Sequence, residues 1–144
     1  MTDKLPPYRD SIAGSLLSAR EAVMDQIRPI LRDANVTEQQ WRVLRVLENS
    51  GPMDPSRLAD ESILSPPSLA RILRDLSESG LLERLPDPTD GRRAIVQITD
   101  QGRQQLQETS SHSLTVIRQI RSRFGDERVE ALLNELKAFR EAIG

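Results

Sequence analysis

The residues best suited to chemistry in this sequence are arginines at two places near the middle of the chain. Arg92 and Arg93 end the stretch DPTDGRR, residues 87–93, which lies between the apolar runs LLERL and AIVQIT. Arg71 and Arg74 are three residues apart in the helical pattern LARILRDL. A guanidinium group is planar and permanently charged, and its forked donors match phosphate oxygens and guanine edges. The two pairs therefore indicate binding to a polyanion such as DNA.

The composition excludes several other kinds of site. The chain of 144 residues has no cysteine and one histidine, His112. Thiol chemistry is therefore excluded, and a zinc or copper site is disfavoured. A serine–histidine mechanism would need His112, which lies in a polar helical pattern, so we expect neither enzymatic activity nor a cofactor. No apolar run approaches the ~20 residues of a membrane span, and the first residues lack a signal segment; we expect a cytoplasmic protein.

The overall charge differs from that of a typical nucleic-acid-binding domain, which is strongly basic. The formal net charge is −2 and the pI about 5.5. Any positive surface must therefore be local, and arginine must form it, because Lys4 and Lys137 are the only lysines. Acidic residues of the same region, such as Asp60 and Asp75, should face away from the duplex or orient arginines, since phosphate contacts dominate DNA affinity.

Capping residues and periodicity predict the helices that would position these arginines. Apolar residues at helical spacing predict a first helix over about 10–33, after an extended arm at residues 1–9. Thr37 begins a second helix through a capping box, and Gly51 ends it. The pairs DP at 54–55 and SP at 65–66 each place proline directly after a capping residue. They predict two short helices joined by a tight turn, which is a helix-turn-helix.

A β-hairpin and two further helices complete the pattern. Val96 and Ile98 alternate with Ile95 and Gln97, as expected for a strand that is half-buried on a core. Thr99 is expected to cap a long helix to about residue 124, and Asp126 to cap the last helix. Helix, turn, helix and hairpin is the order of a winged helix-turn-helix. The predicted fold class is mainly α with a small β-hairpin wing, flanked by N- and C-terminal helices that form a dimerisation region.

In a winged helix the second helix of the pair enters the major groove of DNA. We predict DNA contacts from the outward side of that helix and from the tip of the wing: Ser65, Pro67, Ser68, Arg71, Arg74, Asp90, Arg92 and Arg93. Ser65 and Ser68 would hold a phosphate together with the free amides of the helix start. Asp90 would hold the Arg92 guanidinium extended towards a minor groove. The alternatives are ordinary solvated arginines, or a winged helix that binds protein without binding DNA.

The long helix predicts a dimer. Together with the last helix and the start of the first, it offers more apolar surface than one winged domain can cover, at positions such as Leu114, Ile117 and Phe124. Packing of these helices within one chain is the alternative. A two-fold homodimer would present its recognition helices one DNA turn apart, ~34 Å, and so would bind a palindromic operator. Residues 35–99 would then form the DNA-binding lobe, with 1–34 and 100–144 as dimerisation helices.

The stretch DPTDGRRAIVQITDQG, residues 87–102, resembles the wing and the start of the long helix of MarR-type winged-helix regulators. The resemblance covers nearly the whole chain, so residues 1–144 are expected to form a single MarR-type domain. Within that family, SAREAVMDQIRPIL at 18–31 and NVTEQQWRVLRVL at 35–47 are similar to regulators of homoprotocatechuate (4-hydroxyphenylacetate) degradation. The stretches MDPSRLAD and ILSPPSLARIL share that similarity.

The resemblance implies a homodimeric repressor of an aromatic-catabolism operon. A small aromatic carboxylate would bind between the DNA-binding lobe and the dimerisation helices and release the double-stranded DNA. In this sequence Arg20 would be the partner of the carboxylate and Trp41 the ring contact, with Met24 as an adaptable wall. Two alternatives stay open at this point: Arg20 as an ordinary salt-bridge residue and Trp41 as a core residue.

Overall fold

The helices and strands follow one another in the predicted order. We describe residues 4–144 of a computed structural model. The main elements are α1 (Ile12–Asp33), α2 (Glu38–Ser50), α3 (Pro55–Ser62), α4 (Pro66–Glu78), β1 (Leu82–Pro86), β2 (Ala94–Ile98), α5 (Asp100–Phe124) and α6 (Asp126–Ile143). The prediction of a mainly α fold with one small hairpin is confirmed. Within the described range no helix is both long enough and apolar enough to cross a membrane.

Short-range hydrogen bonds start the helices that matter most for the site. The hydroxyl of Thr37 accepts from the Gln40 N–H at 3.1 Å, and the Gln40 side chain accepts from the Thr37 N–H at 3.2 Å. The Asp54 carboxylate accepts from the Arg57 N–H at 3.0 Å, and the hydroxyl of Ser65 accepts from a backbone N–H of α4 at 3.3 Å. The predicted starts of α2, α3 and α4 are therefore confirmed, and each rests on a side-chain cap.

One apolar core joins α2, α3, α4, the hairpin and the start of α5. Val43, Leu58 and Val96 are fully buried in it. The strands pair antiparallel with Leu82 opposite Ile98. On the edge of β2 that faces away from β1, Val96 exchanges two backbone hydrogen bonds with Met53, of 2.9 and 3.2 Å. The recognition helix and the wing therefore project from a single framework.

The start of α5 ties the end of α4 to the hairpin. Thr99 accepts from the Gly102 N–H at 3.0 Å and donates its hydroxyl hydrogen to the carbonyl of Gly80 at 2.6 Å. Gly102 is required here because a Cβ at this position would lie 2.1 Å from the carbonyl oxygen of Leu81. The residues that follow α4 are thus held by the hydrogen bond from Thr99 to Gly80 and by the close approach of Gly102 to Leu81.

The segment before α1 differs from the extended arm predicted for residues 1–9. Tyr8–Asp10 form one turn of 3₁₀ helix, and the first three residues of the predicted arm lie outside the described residues. The Ser11 hydroxyl donates to the Tyr8 carbonyl at 2.6 Å and accepts from the Gly14 N–H at 3.0 Å. One side chain therefore both holds this turn and caps α1.

The chain forms two compact units, one ending at Ser110 and the other comprising Ser111–Gly144, so that the division falls inside α5. In the second unit Gly125, with a φ of +103°, is the single residue between α5 and α6. The prediction that Asp126 caps α6 is wrong: Gly125 is the cap residue, and Asp126 is already helical. Glycine adopts this positive φ without strain.

Candidate nucleic-acid interface and effector cavity

The DNA-contacting residues predicted on α4 lie on its solvent side. The opposite side is buried through Leu69, Ile72, Leu73 and Leu76. Arg71 and Arg74 are exposed and lie one helical turn apart. Ser65 and Pro67 are also exposed, while Ser68 is half-buried. Across residues 4–144, no carboxylate pairs with the guanidinium of Arg71 or of Arg74. Both charges are therefore available to an external anion.

The N-terminus of α4 differs from the phosphate-binding helix start expected from the sequence. Pro66 and Pro67 occupy the first two helical positions and have no N–H. The next N–H, that of Ser68, is bonded to the Ser65 hydroxyl at 3.3 Å. The expectation that free amides of the first turn hold a phosphate is therefore wrong. What remains for an anion are the two hydroxyls, which are 2.9 Å apart with Ser65 donating to Ser68.

The tip of the wing is a turn built by its own aspartates. The Asp87 carboxylate accepts from the Thr89 N–H at 2.9 Å and from the Thr89 hydroxyl at 2.8 Å. These bonds, the backbone one above all, lower the pKa of Asp87, and the positive charge of Arg93 adds to the effect. A backbone bond of 3.0 Å from the Asp87 N–H to the Arg93 carbonyl closes the loop. The arginines thus stand on an ordered turn.

The role predicted for Asp90 differs from the one the structure gives it. Its carboxylate accepts from the backbone N–H of Arg92 at 3.1 Å, and its second oxygen lies 3.9 Å from Nε of Arg93. Asp90 therefore shapes the turn and pairs weakly with Arg93, instead of holding the guanidinium of Arg92. The reason is local: an aspartate in a turn bonds most readily to the backbone two residues on. The Arg92 guanidinium is exposed and, among the described residues, unpaired.

A groove between α3 and the wing adds an arginine that the sequence argument missed. Arg57 and Arg93 line a cavity of about 580 Å³ together with Asp54, Ser56 and Asp60. Arg57 also lies 3.7 Å from a carboxylate oxygen of Glu61. The sequence signal that could have indicated Arg57 is its position two residues after Pro55, in the first turn of α3. The groove therefore combines two arginines with two aspartates, and places Arg57 on the same side as the wing arginine Arg93.

The three residues predicted to contact an effector line one cavity. Arg20, Met24 and Trp41 border a space of about 620 Å³ in the first unit. The other lining residues are Thr37, Glu38, Gln39, Arg42 and Ile63. The cavity thus lies between α1, the start of α2 and the turn that joins α3 to α4. Met24 is buried, Trp41 is half-buried against the core, and the Arg45 guanidinium lies 5.0 Å from the centre of the Trp41 ring.

Three arginines lie close to the carboxylate of Glu38 at this cavity. Arg20 forms a salt bridge with its Oε1, Nη2 of Arg42 lies 3.9 Å from the same atom, and Nη2 of Arg28 lies 3.6 Å from Oε2. Burial lowers the pKa of Arg42, and repulsion from Arg20 lowers it further. Arg20 therefore forms a salt bridge in the structure, which is the alternative interpretation of this residue. Two arginines, Arg20 and Arg42, and one carboxylate, Glu38, line the cavity, and Glu21 lies 3.5 Å from Nη1 of Arg20 outside that lining.

Arg42 connects this cavity to the helix-turn-helix. Its Nη1 donates to the carbonyls of Ser62 and Ile63, both at 3.0 Å. Ile63 has φ +57° and ψ +52°, a left-handed conformation that costs a β-branched residue about 1–3 kcal/mol. The hydroxyl of Ser62 is buried and has no hydrogen-bond partner among the described residues. Sequence reasoning missed all of these contacts, since they join residues about twenty positions apart.

Comparison with known proteins places these features in context. A model of the MarR family matches residues 36–94. The chain is 37% identical over 136 residues to the HTH-type transcriptional regulator FarR of Neisseria gonorrhoeae. This alignment covers 92% of this chain and 93% of that protein. It is 36% identical over 130 residues to the homoprotocatechuate degradative operon repressor of Escherichia coli, with 90% of this chain and 88% of that protein covered.

A solved structure extends the similarity to three dimensions. The crystal structure of NadR in complex with 4-hydroxyphenylacetate matches this chain with a TM-score of 0.83 and 35% sequence identity. The match covers 98% of this chain and 99% of that one. The winged-helix arrangement predicted from the sequence is thereby confirmed.

Proposed function

We propose that this chain, which belongs to the MarR family of winged-helix transcriptional regulators, represses an operon for the breakdown of an aromatic compound. A small aromatic carboxylate would bind the cavity bordered by Arg20, Met24 and Trp41 and release the protein from its operator. The observation that carries the proposal is the convergence of those three side chains on one cavity, whose lining includes two guanidiniums. The similarity to the Escherichia coli homoprotocatechuate repressor supports the same class of operon.

For DNA binding we assign α4 to the major groove and the wing to the minor groove. The unpaired guanidiniums of Arg71 and Arg74 would contact guanine edges or phosphates, with Ser65, Pro67 and Ser68 close to the backbone. Arg92 and Arg93 would enter the minor groove from the ordered turn, while Asp90 keeps that turn in shape. Residues 35–99 form the DNA-binding lobe in this assignment.

We assign residues 1–34 and 100–144 to a homodimer. In α6, all 18 residues of which are described, none is buried. Leu132, Leu133 and Ile143 are among its exposed apolar side chains, and the first unit exposes Ile12 and Leu16 on α1. α6, which buries no residue, and the exposed start of α1 gain stability from a further partner. A second copy of the chain related by two-fold symmetry would bind a palindromic operator.

The effector would enter as an anion. Its carboxylate would compete with Glu38 for the guanidiniums of Arg20 and Arg42, and its ring would lie against Trp41 and Met24. Arginine and carboxylate form strong charge-assisted hydrogen bonds in a partly desolvated site. A site built to pair a carboxylate rejects the matched neutral amide, because the arginines would then lose an ionic partner.

The alternative of a protein-interaction module without DNA binding is not favoured, because the relatives are named as transcriptional regulators or as a repressor. For the same reason the proposal includes no catalytic activity. It places the protein in the cytoplasm, where a bacterial operator is accessible.

The proposal is tested with DNA and two small molecules. Duplexes selected by the full-length protein from a random-sequence pool should contain a palindrome with half-sites one helical turn apart. 4-Hydroxyphenylacetate should raise the melting temperature of the protein, since it binds the folded state, and should weaken binding to the selected duplex. The neutral 4-hydroxyphenylacetamide, matched in size, should do neither.

Two results would contradict the proposal. If the pool yields no preferred duplex, the result would contradict the proposed DNA-binding function. A set of aromatic acids and their amides acting equally, or none acting at all, would remove the carboxylate effector while leaving DNA binding intact.

A further inference from the structure

We infer that Arg42 is the positioning residue through which the effector cavity acts on the recognition helix. This inference rests on the proposed function and names the regulation of that same cavity. Occupation of the cavity by a carboxylate would draw the Arg42 guanidinium away from the turn between α3 and α4. The turn would then relax and move the start of α4.

The two ends of the Arg42 guanidinium face different parts of the molecule. Nη2 faces the cavity, 3.9 Å from Oε1 of Glu38. Nη1 faces the turn and donates to two successive carbonyls, those of Ser62 and Ile63, at 3.0 Å each. Among the residues that line the cavity, Arg20 shares Glu38 with Arg42 but has no hydrogen bond to the turn. A single rigid, planar group therefore spans the cavity and the helix-turn-helix.

The turn that Arg42 holds carries two unfavourable features. Ile63 is a β-branched residue in the left-handed region, with φ +57°, and 76% of its side chain is exposed, so packing does little to hold it there. The Ser62 hydroxyl is fully buried and, within the described residues, unbonded. Relaxation of the turn could relieve both features. The turn is thus a local element with a reason to adopt a second conformation once Arg42 is released.

The recognition helix begins close to this turn. Ser65, two residues after Ile63, is the capping residue of α4. Backbone bonds from the N–H of Leu64 to Ala59 at 3.0 Å and from the N–H of Ile63 to Asp60 at 3.2 Å fix the turn to the end of α3. A change of φ at Ile63 would therefore rotate the chain directly before α4.

A carboxylate supplies the difference in binding that such a shift requires. A ligand moves an equilibrium only if it binds one conformation better than the other. Here the ligand would pair fully with Arg42 only after the guanidinium has left the two carbonyls. Pairing with Arg20 would be the same in both conformations, so Arg20 would contribute affinity and Arg42 would contribute the coupling.

The test measures the coupling factor, defined as the ratio of DNA affinities without and with saturating 4-hydroxyphenylacetate. The full-length dimer and its selected duplex are used throughout. We expect a factor of about tenfold or more for the unchanged protein. In Arg42→Met, which keeps the length of the side chain and removes its donors, the factor should fall to within about twofold of one.

The matched control is Arg20→Met, which removes a guanidinium from the same cavity and the same Glu38. It should need a higher concentration of 4-hydroxyphenylacetate, yet reach the coupling factor of the unchanged protein at saturation. An unchanged factor in Arg42→Met would overturn the inference, as would an equal loss in both variants. If the unchanged protein shows no release by any aromatic acid, the proposed effector function itself has failed, which is a distinguishable result.

A second variant keeps the test decisive if Arg42→Met does not fold. Ile63→Gly removes an exposed side chain and lets residue 63 adopt a positive φ without strain. The turn would then stay in place when Arg42 leaves, so the coupling factor should fall although every charge in the cavity remains. A full coupling factor in Ile63→Gly would contradict a role for the turn.

Discussion

The arginines of the DNA-facing surface and those of the effector cavity differ in how their charge is partnered. Arg71, Arg74 and Arg92 are exposed, and within residues 4–144 no carboxylate pairs with them. Arg20 and Arg42 are instead grouped around Glu38. The same side chain is thus used in an open, unpaired form at one place and in a partly shielded, paired form at the other.

The difference corresponds to two kinds of anion. A duplex presents many phosphates that displace counterions together, so free guanidiniums at several points serve it best. A single small carboxylate needs a site where two guanidiniums are already held at one place. Glu38 provides this by keeping both arginines in the cavity, and a ligand has to compete with it. Net acidity is compatible with DNA binding because the acidic residues near the wing shape its turn and leave Arg92 free.

The largest expected contrast between the two surfaces is in their response to salt. Between about 50 and 200 mM salt, affinity for the selected duplex should fall by roughly 10³–10⁵, as expected for a dimer with several arginine–phosphate contacts on each subunit. Affinity for 4-hydroxyphenylacetate should change by less than about tenfold, because the cavity is partly shielded. Fluorescence anisotropy and calorimetry over a salt series measure the two. If the affinities for the duplex and for 4-hydroxyphenylacetate fell equally steeply with salt, the difference described between the two groups of arginines would be contradicted.

Removal of one unpaired arginine should weaken DNA binding without affecting the cavity. For Arg71→Ala we expect a loss of about 10- to 100-fold in affinity for the duplex, the usual range for one base or phosphate contact. The melting temperature and 4-hydroxyphenylacetate binding should not change. Arg32→Ala, the same change of charge at an exposed position on α1, is the control and should leave DNA affinity within about twofold. A similar loss in both variants would mean that only net charge matters.

Removal of a paired arginine should have the opposite pattern. In Arg20→Met the affinity for 4-hydroxyphenylacetate should fall by about tenfold, since one charge-assisted contact is lost and Glu38 retains the other arginine. Affinity for the duplex without ligand should be unchanged. Calorimetric titration measures the first quantity and anisotropy the second. An unaltered ligand affinity would return Arg20 to the role of an ordinary salt-bridge residue.

The smallest expected effect concerns the pH response of the wing turn. The pKa of Asp87 is lowered in the folded turn, mainly by its bonds from Thr89, so the ionised form stabilises the turn. That stabilisation is complete above the pKa of an unfolded aspartate and is lost as the pH falls through the lowered folded value. Carboxyl NMR should show Asp87 titrating below an aspartate in a short peptide, with loss of Thr89 amide protection at the same pH. Asp87→Asn should remove this pH dependence, and a normal pKa would contradict the turn described.

Much of the fold could be predicted because its signals are local. Capping residues such as Thr37, Asp54 and Ser65 lie within one turn of the backbone groups they satisfy, so their effect can be read from a few neighbouring letters. The failures at Asp126 and Asp90 are also local: Gly125, one residue earlier, is the cap residue of α6, and the Asp90 carboxylate accepts from the backbone N–H of Arg92 instead of its guanidinium. The prolines at 66 and 67 were visible in the sequence, and their missing N–H groups should have excluded the predicted phosphate site.

The effector cavity could be predicted only in part. Arg20 and Met24 are one helical turn apart, and the family resemblance grouped them with Trp41; the three line one cavity, while their contact with an effector stays a prediction. Arg42 and Ile63 were missed because the bond between them crosses 21 positions of sequence, and no periodicity connects such distant residues. The left-handed conformation of Ile63 was equally hidden, since isoleucine is among the residues that least favour it.

The sequence by itself determined where the helices and the wing begin and which residue type carries the positive charge, because capping, periodicity and charge act between neighbours or are fixed by composition. Only the tertiary structure decided which arginines remain unpaired on the surface and which are held at Glu38. It also decided that one arginine reaches from the cavity to the turn before the recognition helix. Pairing of charges depends on distances through space, and the packing of α1, α2 and the helix-turn-helix sets those distances.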